Sequence, residues 1–225
     1  MKKRKLGLFI PLLLMPALLW VSSIVLKEQY YAVCSMLFAI LSCIFVMLIF
    51  DRHSTNIRLT ILIAVMTTIS VLSRFFFAMV PGFKPMTAII VLTAIYLGPE
   101  AGFFCGAFTA LVSNMYFGQG PWTPFQMLSY GLIGLLAGVL SKSLKKNRIL
   151  LVGYGVFAGV MYSFVMDVWT VLWYRSGFQL KLYLAALLTA VPYTLSYAIS
   201  NAIFLLVFTK AFTRKIERIV YKVGI

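Results

Sequence analysis

Two ionisable side chains, Arg74 and Asp167, lie inside otherwise apolar stretches of this sequence, where a charge is costly unless it is paired or used. Each stands six residues before the expected end of its apolar segment, about 9 Å deep at 1.5 Å per helical residue. Equal depth allows an ion pair between helices. Snorkelling of the arginine and contact with a polar ligand are the other readings. A second concentration of chemistry runs from residue 114 to 130, with Asn114, Tyr116, Gly118-Gln119-Gly120-Pro121-Trp122-Thr123-Pro124, Gln126 and Tyr130. A glycine-proline turn flanked by amides and aromatics is suited to holding an organic molecule. Trp169, Trp173, Tyr174 and Arg175 are expected to lie across from it. An interfacial aromatic belt accounts for Trp122, Trp173 and Tyr174, but poorly for Asn114, Gln119 and Gln126.

Catalytic motifs are missing. The sequence has no G-x-x-x-x-G-K-[ST] phosphate loop, no H-E-x-x-H zinc helix and no G-x-S-x-G elbow. His53 stands alone in a basic segment, and Cys34, Cys43 and Cys105 form no C-x-x-C pattern, so neither a metal site nor a disulfide framework is implied. A membrane-embedded enzyme would have to combine Asp167 and Arg74 with Glu100, which is expected on the opposite side of the bilayer. No cofactor is expected.

The elements that must position these residues are membrane helices. Of 225 residues 62% are hydrophobic and 11% charged, against roughly half and a quarter in soluble domains. Apolar runs recur at about 7–26, 30–50, 58–80, 85–98, 99–117, 125–141, 149–173 and 181–209, most of them long enough for a hydrocarbon core of about 30 Å. The expected fold is an all-α integral membrane protein with about eight transmembrane helices and no sizeable soluble domain. The run Lys2 to Lys5 before the first span reads as the flank of an uncleaved helix rather than of a signal peptide.

The net charge of +15 is distributed as topology signals, not as a nucleic-acid surface. Alternate connections, within 2–5, 52–58, 142–148 and 210–222, hold fifteen of the 20 Lys and Arg residues, while the others hold Lys27, Lys84, Arg175 and Lys181. The positive-inside rule then places both termini in the cytoplasm. The segment 85–117 is interrupted at Gly98-Pro99 and reads either as two short spans or as a re-entrant hairpin, both of which keep the parity of later loops. Glycines at 102 and 106, 134 and 138, and 155 and 159 have the spacing for close helix contact. Thr60, Ala64 and Thr68 form a smooth stripe on one face of the third helix, for an internal neighbour in the first instance or for a separate subunit.

The runs Arg74 to Ala78, Pro81-Gly82-Phe83-Lys84-Pro85, Leu97-Gly98-Pro99-Glu100-Ala101-Gly102, Ser113-Asn114 and Gly118 to Gln126 resemble the substrate-binding S-components of energy-coupling factor transporters, most closely their cobalamin-type branch. The resemblance covers residues 58–210, a six-helix core, and leaves 1–57 as an extra N-terminal helical hairpin and 211–225 as a basic cytoplasmic tail. It implies a vitamin-capturing subunit of a bacterial cell membrane, working with a transmembrane coupling subunit and two cytoplasmic ATPases, and carrying its ligand across by toppling in the lipid. It also implies an outward substrate site. Arg74, Lys84, Asn114, Gln119, Gln126 and Asp167 would then supply polar contacts, and Phe77, Tyr116, Trp122, Tyr130 and Trp169 apolar walls. The coupling subunit would meet a small-residue face, which Thr60, Ala64 and Thr68 approximate. Cobalamin or a related corrinoid is the expected cargo, as a transported ligand rather than a cofactor, but other S-components bind riboflavin, pantothenate, folate or queuosine precursors on the same fold. A membrane scaffold would keep the glycines without needing the polar-aromatic cluster.

Overall fold

The computed structural model describes residues 57–174 and 178–223, together with residues 37, 40, 41, 43 and 44. Seven complete helices are described: α1 (Ile57–Phe76), α2 (Met86–Leu97), α3 (Pro99–Phe117), α4 (Thr123–Val139), α5 (Ser141–Lys146), α6 (Arg148–Tyr174) and α7 (Leu180–Val223). No strand occurs among the described residues. Three stretches, Ile57–Phe76, Arg148–Trp173 and Leu180–Arg218, are long and apolar enough to cross a membrane, which makes this a multi-pass membrane protein. The expected N-terminal hairpin lies almost wholly outside the described residues. Of its described residues, Cys43 is buried against Phe103, Ala107, Phe125 and Leu128 of α3 and α4.

The helix α2 is apolar around its whole circumference, and every residue from Met86 to Ile95 is buried. At 12 residues it is about 18 Å long, too short to cross a bilayer by itself. Its environment is protein on all sides, because a helix hydrophobic all round belongs in a core. Gly98 both ends α2 and begins α3, with φ of +105°, a conformation that costs glycine little. The one-residue joint folds α3 back along α2, so that a Cβ on Gly102 would stand 2.3 Å from the Ala94 Cβ and Cys105 Sγ lies 3.8 Å from Thr93 Oγ1. The segment 85–117 is thus a tight helical hairpin.

Glycines set the remaining contacts. A Cβ on Gly102 would lie 2.7 Å from the Gly134 carbonyl oxygen, one on Gly106 2.3 Å from the Tyr130 carbonyl oxygen, and one on Gly138 2.3 Å from the Pro99 Cα. These three contacts, in antiparallel order, zip α3 to α4 with the backbones touching. The pair α6 and α7 is zipped in the same way. Gly155 faces Leu205 and Asn201, and Gly159 faces Ala198. Asn201 Nδ2 donates to the Gly155 carbonyl at 3.0 Å, and the Ser163 and Thr194 hydroxyls meet at 2.6 Å. All three expected glycine pairs therefore lie at helix contacts.

The structure refines where two helices end and the exposure of one helix face. The first core helix ends at Phe76, not near residue 80, because the chain turns through Ala78 and Val80 into a Pro81-Gly82 bend, with Phe83 N–H donating to the Val80 carbonyl at 3.2 Å and Gly82 at φ +75°. The stretch from residue 211, expected as a basic cytoplasmic tail, continues α7, which is helical from Leu180 to Val223 around an internal Pro192. Thr60, Ala64 and Thr68, the small-residue stripe of α1, are exposed. They share the outer surface of α1 with exposed Ile57, Ile61, Val65 and Leu72.

The contact geometry predicts that Gly134→Ala lowers thermal stability in detergent by about 1–3 kcal/mol, since its Cβ would press on the Gly102 backbone. Gly153→Ala, with open space around it, should be neutral or stabilising by about 0.5–1 kcal/mol. Equal behaviour of the two variants in a melting experiment would refute the backbone-contact account.

Candidate functional site

Connections join the helices at two opposite ends of the bundle. One end carries Gly98, α5 and the later part of α7. The other carries the loop 77–85, the turn 118–122 and the ends of α1 and α3. The sequence-predicted site residues gather at this second end.

Arg74 sits in the last turn of α1, where a cation also suits the helix's free carbonyls. Its Nη1 donates to Ser113 Oγ at 2.5 Å and to Asn114 Oδ1 at 2.8 Å, and its guanidinium lies 4.6 Å from the centre of the Phe117 ring. Asn114, at the end of α3 and 1% exposed, is the hub. Its Nδ2 donates to Thr123 Oγ1 at 3.0 Å and to Gln126 Oε1 at 2.8 Å on α4. Gln126 Nε2 in turn donates to the Tyr162 hydroxyl of α6 at 3.1 Å. One chain of hydrogen bonds thereby ties α1, α3, α4 and α6 together.

Aromatic rings stand beside this chain. Tyr130 stacks on Tyr162 with ring centres 4.5 Å apart, and Tyr197 of α7 meets Tyr162 edge-on at 5.1 Å. Trp122 meets Trp169 edge-on at 5.9 Å, and Trp169 stacks with Trp173 at 6.1 Å. Phe77 packs against Phe83 and Phe204, holding the loop 77–85 onto α7. Two serines clip that loop. Ser196 Oγ donates to the Pro81 carbonyl at 3.0 Å, while Ser200 Oγ accepts from Lys84 N–H at 2.8 Å and donates to the Lys84 carbonyl at 3.0 Å.

The clip leaves Lys84 half-buried. Burial, and secondarily the nearby Arg74 cation, pull its amine down to about 8. Two cations therefore share a poorly solvated site, and neither has an acidic partner among the described residues.

The expected Arg74–Asp167 ion pair does not form. Arg74 is at the helix end and is satisfied by neutral oxygens, while Asp167 Oδ2 is buried without a hydrogen-bond partner. The carboxyl group takes a hydrogen bond from Ser163 and leaves that one oxygen unused. Tyr116, expected as a wall, is 73% exposed and meets Phe75 at a tilt and Phe117 edge-on, outside the hydrogen-bonded chain. Gln119 is exposed and braces the turn, donating to the Leu111 carbonyl at 2.9 Å and accepting from Thr123 Oγ1 at 2.9 Å. Arg175 and the Tyr174 side chain lie outside what is described. Sequence reasoning missed Tyr162, Tyr197, Ser196 and Ser200. A hydroxyl in the middle of a long apolar helix was the one signal available, and it does not distinguish a site from packing. Ser113 was noted only as part of a motif.

The described residues form a helical membrane bundle with a polar, cation-bearing, aromatic-walled cluster at one end, the arrangement a ligand-binding membrane subunit needs. The chain belongs to the family described as ECF-type riboflavin transporter, S component, whose sequence profile matches residues 54–214. The match takes in α1 to α6 and most of α7, the part of the chain expected to form the six-helix core. As a member of a transport family it is a binding and transport subunit rather than an enzyme. No individually curated protein and no solved structure shows significant similarity to it.

The hub position of Asn114 predicts that Asn114→Leu destabilises the folded protein by about 1–3 kcal/mol, because Arg74 and Gln126 each lose a buried partner. Gln119→Ala, at an exposed position, should cost less than about 1 kcal/mol. Thermal melts of both variants in one detergent would check the ordering.

Proposed function

We propose that this protein captures a vitamin-class molecule for an energy-coupling factor transporter, and that its cargo is a corrinoid of the cobalamin type. The observation that carries the proposal is the half-buried pair Arg74 and Lys84, which lacks an acidic partner among the described residues and stands beside a chain of amides and hydroxyls. Cobalamin presents a phosphodiester, a rim of amides and a broad conjugated ring. The cations answer the first, the Asn114 and Gln126 amides and the Tyr162 hydroxyl the second, and the tryptophan group the third. The site residues are Arg74, Phe77, Lys84, Asn114, Trp122, Gln126, Tyr130, Asp167 and Trp169, with Gln119 and Tyr116 at the rim.

Riboflavin, in the family's description, is the second reading. The stack of Trp169 on Trp173 favours it, since a flat neutral ring system needs aromatic faces and no cation.

The site end faces the outside of a bacterial cell membrane in this proposal, because Lys142, Lys145, Lys146, Arg148, Lys210, Arg214, Lys215 and Arg218 lie at the other end and basic residues are retained in the cytoplasm. Both termini are then cytoplasmic. A transmembrane coupling subunit and two ATPases supply the energy. The exposure of Thr60, Ala64 and Thr68 supports α1 as the face that meets the coupling subunit.

Labelled cyanocobalamin should bind saturably to the detergent-purified chain and be displaced by corrinoids but not by riboflavin, pantothenate or a queuosine precursor. Displacement by riboflavin alone would replace the corrinoid with the flavin. A folded protein that binds none of the four would overturn the vitamin-binding reading. Gln126→Ala should weaken binding by about 1–3 kcal/mol, whereas a scaffold would be indifferent.

Affinity for an anionic cargo should also fall as pH rises through about 8, where the Lys84 amine loses its proton. The bound anion holds that proton, so binding above this pH should take one up. A flat affinity profile from pH 7 to 10 in wild type, matching that of Lys84→Met, would remove Lys84 from the site.

A further inference from the structure

At the end of the bundle opposite the candidate site, α2, α5, α6 and α7 enclose a cavity of about 460 Å3, within the range of about 300–1,000 Å3 usual for small-molecule sites. Its floor is Leu92, Ile95, Leu144 and Leu151, and its rim holds Lys145, Lys146 and Arg148 with the hydroxyls of Tyr96, Thr209 and Thr213. Glu217 is the one acid among the lining residues.

The rim is constructed rather than incidental. Leu144, 2% exposed, pins the six-residue helix α5 to the bundle and so fixes Lys145 and Lys146 beside the opening. Lys145 Nζ lies 4.5 Å from the centre of the Tyr96 ring. The Tyr96 hydroxyl meets Thr213 Oγ1 at 2.6 Å, and Thr213 Oγ1 also lies 2.6 Å from the Thr209 carbonyl, to which it can donate. Asn147 Oδ1 accepts from Ile149 N–H at 2.9 Å and Leu150 N–H at 3.2 Å, which starts α6 and places Arg148 at the cavity mouth. Three cations and one carboxylate leave the mouth electropositive, above an apolar floor. Neither soluble anions nor neutral lipids need both features. A molecule with an anionic head and an apolar body does.

We propose that this cavity is a binding site for an anionic phospholipid, with the phosphate held by Lys145, Lys146 and Arg148 at its mouth. Basic pockets between membrane helices on the side that carries the positive charge take such headgroups, and guanidinium and ammonium groups are the usual phosphate partners. The lipid joins α5 to α2 and α7 and reinforces the end of the bundle that carries no ligand site.

The test is lipid binding by the full chain purified in an uncharged detergent, read by native mass spectrometry and by melting temperature. Dioleoylphosphatidylglycerol should bind and raise the melting temperature, dioleoylphosphatidylcholine should do so much less, and inorganic phosphate or glycerol phosphate should have no effect. The double variant Lys146→Gln/Arg148→Gln should lose about tenfold or more in phosphatidylglycerol affinity, on the basis of roughly 1 kcal/mol per basic residue at a membrane surface. Lys210→Gln/Arg214→Gln, which removes two cations of the same end that do not line the cavity, should keep it. Equal binding of the two lipids, equal loss in both double variants, or an effect of free phosphate as large as that of the lipid would each overturn the proposal. Vitamin binding by the Lys146→Gln/Arg148→Gln variant provides the check that the protein remains folded.

Discussion

A guanidinium inside an apolar bundle has to be given acceptors, and the way Arg74 obtains them organises everything around it. Desolvating a cation costs several kcal/mol unless hydrogen bonds replace its water. Here the replacements are neutral oxygens, Ser113 Oγ and Asn114 Oδ1. Because Asn114 spends its oxygen on Arg74, its amide is free to donate only outward, to Thr123 and Gln126, and Gln126 passes the link to Tyr162. The relative positions of four helices follow from one charge. The charge itself stays uncompensated by any described carboxylate, which leaves it available to a bound anion.

This chain of bonds can exist only where backbones come close. Asn114 and Gln126 are short side chains on separate helices, and they meet because Gly102, Gly106, Gly134 and Gly138 let α3 and α4 touch along their length. Lipid offers no hydrophobic reason for two apolar helices to associate, so close packing and interhelical hydrogen bonds supply it. The same logic joins α6 to α7 through Gly155, Gly159 and Asn201. Rigid pairs of helices result, and the connections between them carry the chemistry. At one end the loop 77–85 is clipped to α7 by Ser196 and Ser200. At the other, α5 is anchored by Leu144.

Much of this was legible in the residues. Apolar runs of spanning length, the alternation of basic connections and the three glycine pairs follow from composition and spacing, because a bilayer penalises exposed polar backbone and allows few ways to satisfy it. The amide-rich turn from Gly118 to Gln126 stood out in the sequence, and in the structure its amides brace the turn and link helices, Gln119 to Leu111 and Thr123, and Gln126 to Asn114 and Tyr162. The match to residues 54–214 overlaps the stretch 58–210 over which the sequence resembles the S-components. Less was legible where the outcome depended on how far a helix runs. Arg74 was placed six residues inside its helix, but the bend at Pro81-Gly82 draws the helix end back to Phe76, and an ion pair with Asp167 is lost with that shift. The stripe Thr60, Ala64 and Thr68 fixes which residues share a face, but not whether that face looks inward.

The sequence alone determined that this is a helical membrane protein, where its helices come close and which segment concentrates amides and aromatics. Those properties are local, or follow from periodicity. Only the tertiary structure decided that Arg74 answers to Asn114 and not to Asp167, that Tyr162 and Tyr197 stand beside the hydrogen-bonded chain, that Tyr116 is exposed outside it, and that Tyr96, Lys145 and Thr213 close on one another at the far end. Each of these is a contact between residues far apart in the chain, and the direction of a side chain across a helix interface is set by the rotation of both helices, which no single segment encodes.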